Sequence, residues 1–166
     1  MAGIDVREAR EDDCEAMRAL LNAEIRSGVN VWHETERTAG EMRDWLVQRR
    51  EAGMAVTVAE AEGWVIGYAG YGPFRPHSGY GLTVEHSLYV DPAHRGCGVG
   101  TTLLGDLVRR ARMQNLHAMI GGVEAGNAAS LALHRRHGFE EAGRLPEVGR
   151  KFGRWLTLVF MQRILP

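Results

Sequence analysis

The sequence predicts an α/β domain built on one mixed sheet, and three observations carry that reading. Apolar residues recur with helical spacing in four segments and with a period of two in the segments between them. The segments run β-α-α-β-β-β-α-β-α-β-β, which is not the regular alternation of a doubly wound nucleotide-binding fold. No repeat, low-complexity tract or Pro/Gly/Ser-rich linker divides the 166 residues, so a single domain over residues 1–166 is expected.

Each element has a local cause. Ile4 and Val6 alternate with Asp5 and Arg7 and suit a first strand. Asp12 or Asp13 can cap a helix whose apolar face is Met17, Leu20, Leu21 and Ile25, and Gly28 stops it. Thr38-Ala39-Gly40-Glu41 has capping-box spacing at the head of a second helix carrying Met42, Trp45 and Leu46, which Gly53 ends. Residues 54–61 and 64–74 then read as strands joined at Glu62-Gly63, a hairpin signal. Pro73, Pro76 and Gly79 mark an irregular connection to a strand over residues 83–90, terminated by Asp91-Pro92. A glycine-rich stretch opens a helix with Leu103, Leu104, Leu107, Val108 and Ala111 on one side. Residues 117–123 read as a buried strand, 128–137 as a short helix, 139–143 as a strand start and 155–164 as the last strand.

Composition excludes several classes. The apolar fraction of 45% is ordinary for a globular core. A chain of this length buries roughly 70% of its unfolded surface and needs no disulfide or metal staple. Twenty basic against 21 acidic residues leave a net charge of −1, which argues against nucleic acid or an anionic membrane as principal partner. Arg109, Arg110 and Arg112 read as a solvated helix face. Cys14 and Cys97 are far apart, and His134 and His137 have no carboxylate or cysteine at ligand spacing, so no metal is expected. With no signal-like start and no apolar run near 18 residues, a soluble cytoplasmic protein is expected.

Chemistry concentrates at Arg95-Gly96-Cys97-Gly98-Val99-Gly100-Thr101, between a strand and a helix. Glycines allow positive φ and close approach, so successive N–H groups can converge on an anion, and the helix adds its positive end. A pyrophosphate is the expected guest. A Walker loop needs Gly-Lys-Ser/Thr, and the single lysine is Lys151; a dinucleotide fingerprint needs Gly-x-Gly-x-x-Gly, and the spacing differs.

Arg-x-x-Gly-x-Gly at Arg95, Gly98 and Gly100 resembles the acetyl-CoA pyrophosphate loop of the GNAT superfamily of N-acetyltransferases. Asn127-x-x-Ser130-x-x-Leu133-His134-x-x-x-Gly138-Phe139 resembles that superfamily's second signature. The resemblance implies a mixed, mostly antiparallel sheet with helices on both faces, and acetyl-CoA as cosubstrate without a metal. It implies cofactor contacts from residues 95–101 (Arg95, Gly96, Cys97, Gly98, Val99, Gly100 and Thr101), from Asn127 and Ser130, and from Leu88, Tyr89 and Val90 on the central strand. There the Leu88 N–H faces the thioester and Val90 pairs with the pantetheine amide. Residues 82–90, Gly72-Pro73-Phe74-Arg75, Asn30-Val31-Trp32 and residues 148–155 further resemble the amino-acid N-acetyltransferases acting on phosphinothricin, methionine sulfoximine and methionine sulfone. That resemblance implies a small amino-acid analogue as acceptor. It also implies a homodimer with Lys151-Phe152-Gly153 and the last strand near the interface.

The residues support this chemistry directly. An amine is mostly protonated at neutral pH, so attack on a thioester needs a base. Glu85, within a strand that carries Thr, Val, Leu and Tyr around it, is expected to be partly desolvated and made more basic. His134 stands where many relatives place a tyrosine that protonates the departing thiolate; histidine titrates near neutrality and can do so, as can Tyr89 or solvent. Arg75 can fork onto a substrate carboxylate, with Lys151 as second candidate and Phe74 as an apolar wall. Thr83 and His86 flank the base, and strand alternation lets only one of Glu85 and His86 face inward. Two other functions share these motifs: a protein N-terminal or polyamine acetyltransferase, and a noncatalytic acyl-CoA sensor. Glu85 favours an enzyme.

Overall fold

Hydrophobic spacing resolves into seven strands and four helices in a computed structural model that describes residues 3–166. In chain order they are β1 (Asp5–Glu8), α1 (Cys14–Ser27), α2 (Ala39–Glu51), β2 (Val56–Ala61), β3 (Trp64–Pro73), β4 (Thr83–Val90), α3 (Val99–Met113), β5 (Ala118–Glu124), α4 (Ala128–Arg136), β6 (Glu140–Lys151) and β7 (Arg154–Ile164). One sheet holds all seven strands in the order β1-β2-β3-β4-β5-β7-β6. Every neighbouring pair is antiparallel except β4 and β5.

Helices cover both faces. On one, Met17, Leu21 and Ile25 of α1 and Met42 and Leu46 of α2 pack on Val56, Val58 and Tyr68. On the other, Leu103, Leu104, Leu107 and Ala111 of α3 are fully buried against Ala69, Tyr71, Val84 and Met119. Truncating one such leucine to alanine costs about 2–5 kcal/mol. The capping box of α2 forms as its spacing predicts: Glu41 N–H donates to Thr38 Oγ1 at 3.2 Å, and Thr38 N–H to Glu41 Oε2 at 2.7 Å. Asp13 does not cap α1 with its side chain. Its carboxylate accepts from Arg7 at 2.7 Å and from the Arg10 N–H at 2.6 Å, which fixes the turn before the helix.

The last hairpin is longer than its pattern suggests. β6 runs to Lys151, and two register shifts, at 141–143 and 145–149, absorb extra residues including Pro146. An edge strand tolerates such bulges and a proline. Phe152 and Gly153, both with positive φ, make the two-residue turn into β7. No helix among the described residues is long and apolar enough to cross a membrane.

Candidate active site

The site begins where two strands separate. β4 pairs with β5 from Thr83 to His86 only; beyond that, β4 stays with β3 to Val90 and β5 with β7 to Glu124. Thr83 O accepts from Phe74 N–H and Asp91 N–H donates to Ile66 O, so the odd-numbered peptides of β4 bond to β3. Alternation then turns the N–H groups of Leu88 and Val90 into the gap left by β5. This gap is the floor of a cleft of about 1190 Å³, bounded by residues 87–90 on one side and Gly122 to Glu124 on the other. That is ample for an extended coenzyme arm.

The glycine loop closes one end. Gly96 (φ 77°) and Gly98 (φ 90°) are left-handed, and α3 starts directly after Gly98. A Cβ at Gly98 would meet nothing within 4 Å, so backbone sign, not space, requires glycine there. Gly100 is the converse: its Cβ would stand 3.2 Å from Leu133 Cδ2 on α4. The first intrahelical bond runs from Thr102 N–H to Gly98 O, and no side chain caps the N–H groups of the first turn. Gly96, Gly98, Gly100 and Thr101 line the cleft, so uncapped donors and a helix end meet an anion-sized space. Such a cradle fits a pyrophosphate. Cys97 and Val99 do not line it: the Cys97 thiol turns toward Arg95 O, and Val99 is buried in the core.

A polar chain crosses the cleft. Arg95 donates to Glu24 at 3.3 Å, Glu24 accepts from Asn30 Nδ2 at 2.7 Å, and Asn30 Oδ1 accepts from Asn127 Nδ2 at 2.8 Å. Asn127 Oδ1 also caps α4 by accepting from Ser130 N–H at 3.0 Å. Sequence reasoning found Arg95 and Asn127 but not Glu24, whose partners are remote in the chain. Lys151 sits beneath this loop, 1% exposed, with Nζ donating to Gly28 O at 2.8 Å and Val31 O at 2.6 Å. Its ammonium anchors the loop and is turned away from the cleft, contrary to the expectation of a substrate-facing lysine.

Glu85 lies opposite Gly72 in the β3–β4 register, and its Oε1 is 3.5 Å from where a Cβ on Gly122 would stand. Gly122 thus leaves room beside the carboxylate on one side, while the Arg49 guanidinium lies over Gly72 on the other. Burial raises the Glu85 pKa, and Arg75, 3.9 Å away, partly opposes this. The Arg75 guanidinium donates to Phe74 O at 2.7 Å and lies 4.1 Å over the Phe74 ring. Phe74 in turn meets Tyr80 and Phe160 edge-on, an aromatic cluster beside Arg75. Thr83 shares the Glu85 face by alternation.

His86 points to the opposite face and meets His134, with Nε2 to Nε2 at 3.0 Å. His134 Nδ1 is 2.7 Å from Ser130 O, and a carbonyl only accepts, so this network puts the His134 proton on Nδ1. His86 must then donate from Nε2, which leaves its Nδ1 bare; that atom is buried without a partner. Burial, then the neighbouring histidine charges, push the His86 pKa down to about 3, and burial lowers that of His134 as well. A Cβ at Gly121 would stand 2.5 Å from His134 Nε2 and 2.7 Å from His86 Nε2, so this glycine makes room for the pair. Both expected roles, His134 as acid and His86 as substrate contact, therefore meet side chains already engaged with each other. Tyr89 lines the cleft and stacks on Tyr68 at 5.0 Å; burial raises its pKa and keeps its hydroxyl protonated.

The strands thus part over a cleft that ends at a helix start with uncapped N–H donors, and a half-buried carboxylate stands on the central strand. The profile of the Acetyltransferase (GNAT) family matches residues 14–139, and the chain belongs to this family of acetyl-CoA-dependent N-acetyltransferases, in its methionine sulfoximine and phosphinothricin group. It is 46% identical over 158 residues to the L-methionine sulfoximine/L-methionine sulfone acetyltransferase of Pseudomonas paraeruginosa, covering 95% of this chain and 92% of that one. A phosphinothricin acetyltransferase from Sinorhizobium meliloti, solved in complex with acetyl-CoA, superposes with a TM-score of 0.95 at 36% identity, covering 98% of this chain and 88% of that one. A ribosomal-protein-alanine N-acetyltransferase from Brucella melitensis superposes with a TM-score of 0.95 at 49% identity, covering 97% and 99%.

Proposed function

We propose that the protein acetylates the α-amine of a small amino-acid analogue of the methionine sulfoximine, methionine sulfone or phosphinothricin type, with Glu85 as general base. The observation that carries this reading is the half-buried Glu85 carboxylate, set between two glycines, with an arginine beside it. Acetyl-CoA supplies the acetyl thioester. Gly96, Gly98 and the first turn of α3 hold its pyrophosphate, with Thr101 and Arg95 at the rim. Asn127 and Ser130 flank its arm, and the Leu88 and Val90 N–H groups meet its acetyl and pantetheine portions. Glu85 takes a proton from the acceptor ammonium, directly or through one water, so that the free amine can attack. The Leu88 N–H is a preorganised donor for the oxygen that gains negative charge. For the departing thiolate, Tyr89 is the favoured donor, because both His134 nitrogens are engaged.

The rival acceptor is a protein N-terminus, the class printed in the Brucella protein's name. A peptide carries no carboxylate on its reacting residue and gains nothing from a guanidinium near Glu85, which favours the amino-acid reading. Thiol release from acetyl-CoA, measured across methionine sulfoximine, methionine sulfone, phosphinothricin, an alanine-terminated peptide and a polyamine, tests it. The amino-acid analogues are expected to lead in kcat/KM by at least tenfold. A lead for peptide or polyamine overturns the substrate, and acetyl-CoA binding without thiol release from any amine would make the protein a sensor.

A further inference from the structure

We propose that Arg49, on the last turn of α2, receives the α-carboxylate of the acceptor, which makes α2 a specificity element alongside the β3–β4 connection. This rests on the amino-acid reading above. Of the other arginines around the site, Arg95 meets Glu24 and Arg75 donates to Phe74 O beside Glu85, while Arg136 and Arg154 at the cleft are exposed to solvent. The half-buried Arg49 guanidinium has neither a carboxylate nor a hydrogen-bond acceptor among the described residues. Burial and the charge of Arg37 both act against its protonated form. A partly desolvated cation without a counter-ion is unfavourable, and an incoming carboxylate relieves that cost.

Position makes the carboxylate an acceptor's own. The Arg49 guanidinium lies directly over the backbone of Gly72, where any Cβ would overlap it. The Trp45 ring is 5.7 Å from its Cζ and limits its swing. Gly72 is the register partner of Glu85, and directly opposed residues share one face of the sheet. The Arg49 guanidinium therefore stands over a position one strand spacing from Glu85, on the face that α1 and α2 cover, with the Glu85 carboxylate leaning toward Gly122. An α-amino acid carries its amine and its carboxylate on one carbon, so a base for the first and a planar fork for the second must be adjacent in this way. Arg75 remains the counter-ion of Glu85 at the mouth.

The test compares methionine sulfoximine with its carboxamide as acceptors in wild type, Arg49→Gln, Arg49→Lys and Gly72→Ala. Acetyl-CoA affinity by calorimetry serves as the check on folding. Gly72→Ala reaches the same group independently, since its methyl displaces only the mobile end of the Arg49 side chain. Wild type is expected to prefer the acid. Arg49→Gln is expected to cut the acid-over-amide ratio of kcat/KM by about 10- to 100-fold, mostly through KM for the acid. Arg49→Lys, which keeps charge but loses the fork, should fall between, and Gly72→Ala should follow Arg49→Gln. A wild-type preference for the acid that survives both Arg49→Gln and Gly72→Ala overturns the role of Arg49 and leaves the amino-acid reading standing. A wild-type enzyme indifferent to the carboxylate removes that reading and the role of Arg49 together.

Discussion

Glu85 and His86 are consecutive on β4, and burial moves their proton affinities in opposite senses, because it penalises whichever form is charged. For Glu85 the raised pKa makes a better base. Glu85→Gln is expected to lower kcat by roughly 10²- to 10⁴-fold with little change in acetyl-CoA affinity. In wild type, kcat/KM should fall as pH drops through the raised Glu85 pKa; a variant within a few-fold of wild type across pH 6 to 9 would show that another group is the base. For His86 the lowered pKa is a stability statement. The unfolded chain protonates this histidine near 6.5, and the folded chain only at about 3, so the unfolded state binds the extra proton in between. Stability is full above that range and is lost as pH falls from about 6.5 toward 3. At pH 5 the loss from His86 is about 2 kcal/mol. Urea unfolding at pH 7 and pH 5 should show this loss in wild type, and the difference between the two pH values should shrink in His86→Gln.

At the level of elements, the cleft is the joint product of a strand that parts from its neighbour and a helix that starts on a left-handed glycine. Gly98→Val forces a β-branched residue to φ 90°, a cost of roughly 1–3 kcal/mol, and sets its side chain at the proposed pyrophosphate site. Its acetyl-CoA affinity is expected to fall at least tenfold by calorimetry, and unchanged affinity would remove the anion cradle. Gly100→Val should lose melting temperature as well, because its side chain drives into Leu133. These elements were legible in the sequence because their signals are local: the glycine spacing, the 3.6-residue period of α1 and α3, the capping box at Thr38. The far half of β6 was not, since residues 144–150 do not alternate and only pairing with β7 orders them. Nor was the Asn30–Asn127 bond legible, joining residues 97 positions apart. The His86–His134 pair left one readable trace, the Gly121-Gly122 doublet inside β5, where glycine marks a close approach.

At the scale of the whole molecule, the β6 side of the sheet is unfinished. β6 is one of the two outer strands, twelve residues long and mostly exposed, and an edge of that length invites pairing with another chain. Beside it Val148, Phe152, Trp155 and Ile164 are exposed, Trp155 to 60% with Arg150 stacked on its ring at 5.4 Å. A second copy of the chain is the proposed cover, since an isologous contact buries the same apolar residues on both partners. Lys151 takes no part in that contact directly, its ammonium being held by Gly28 and Val31. It does tie the hairpin tip to the loop that supplies Asn30 to the cleft, and Trp32 packs against Gly149 on the same hairpin. Fixing the hairpin in a dimer would therefore fix one wall of the active site. Wild type is expected to sediment at twice its 18.4 kDa, and Phe152→Asp combined with Trp155→Glu to sediment as a monomer. The monomer should bind acetyl-CoA several-fold more weakly, because the loop then rests on a freed hairpin. A single 18.4 kDa species for wild type at micromolar concentration would overturn the dimer, and a monomeric variant with full affinity would cut the link between the interface and the cleft.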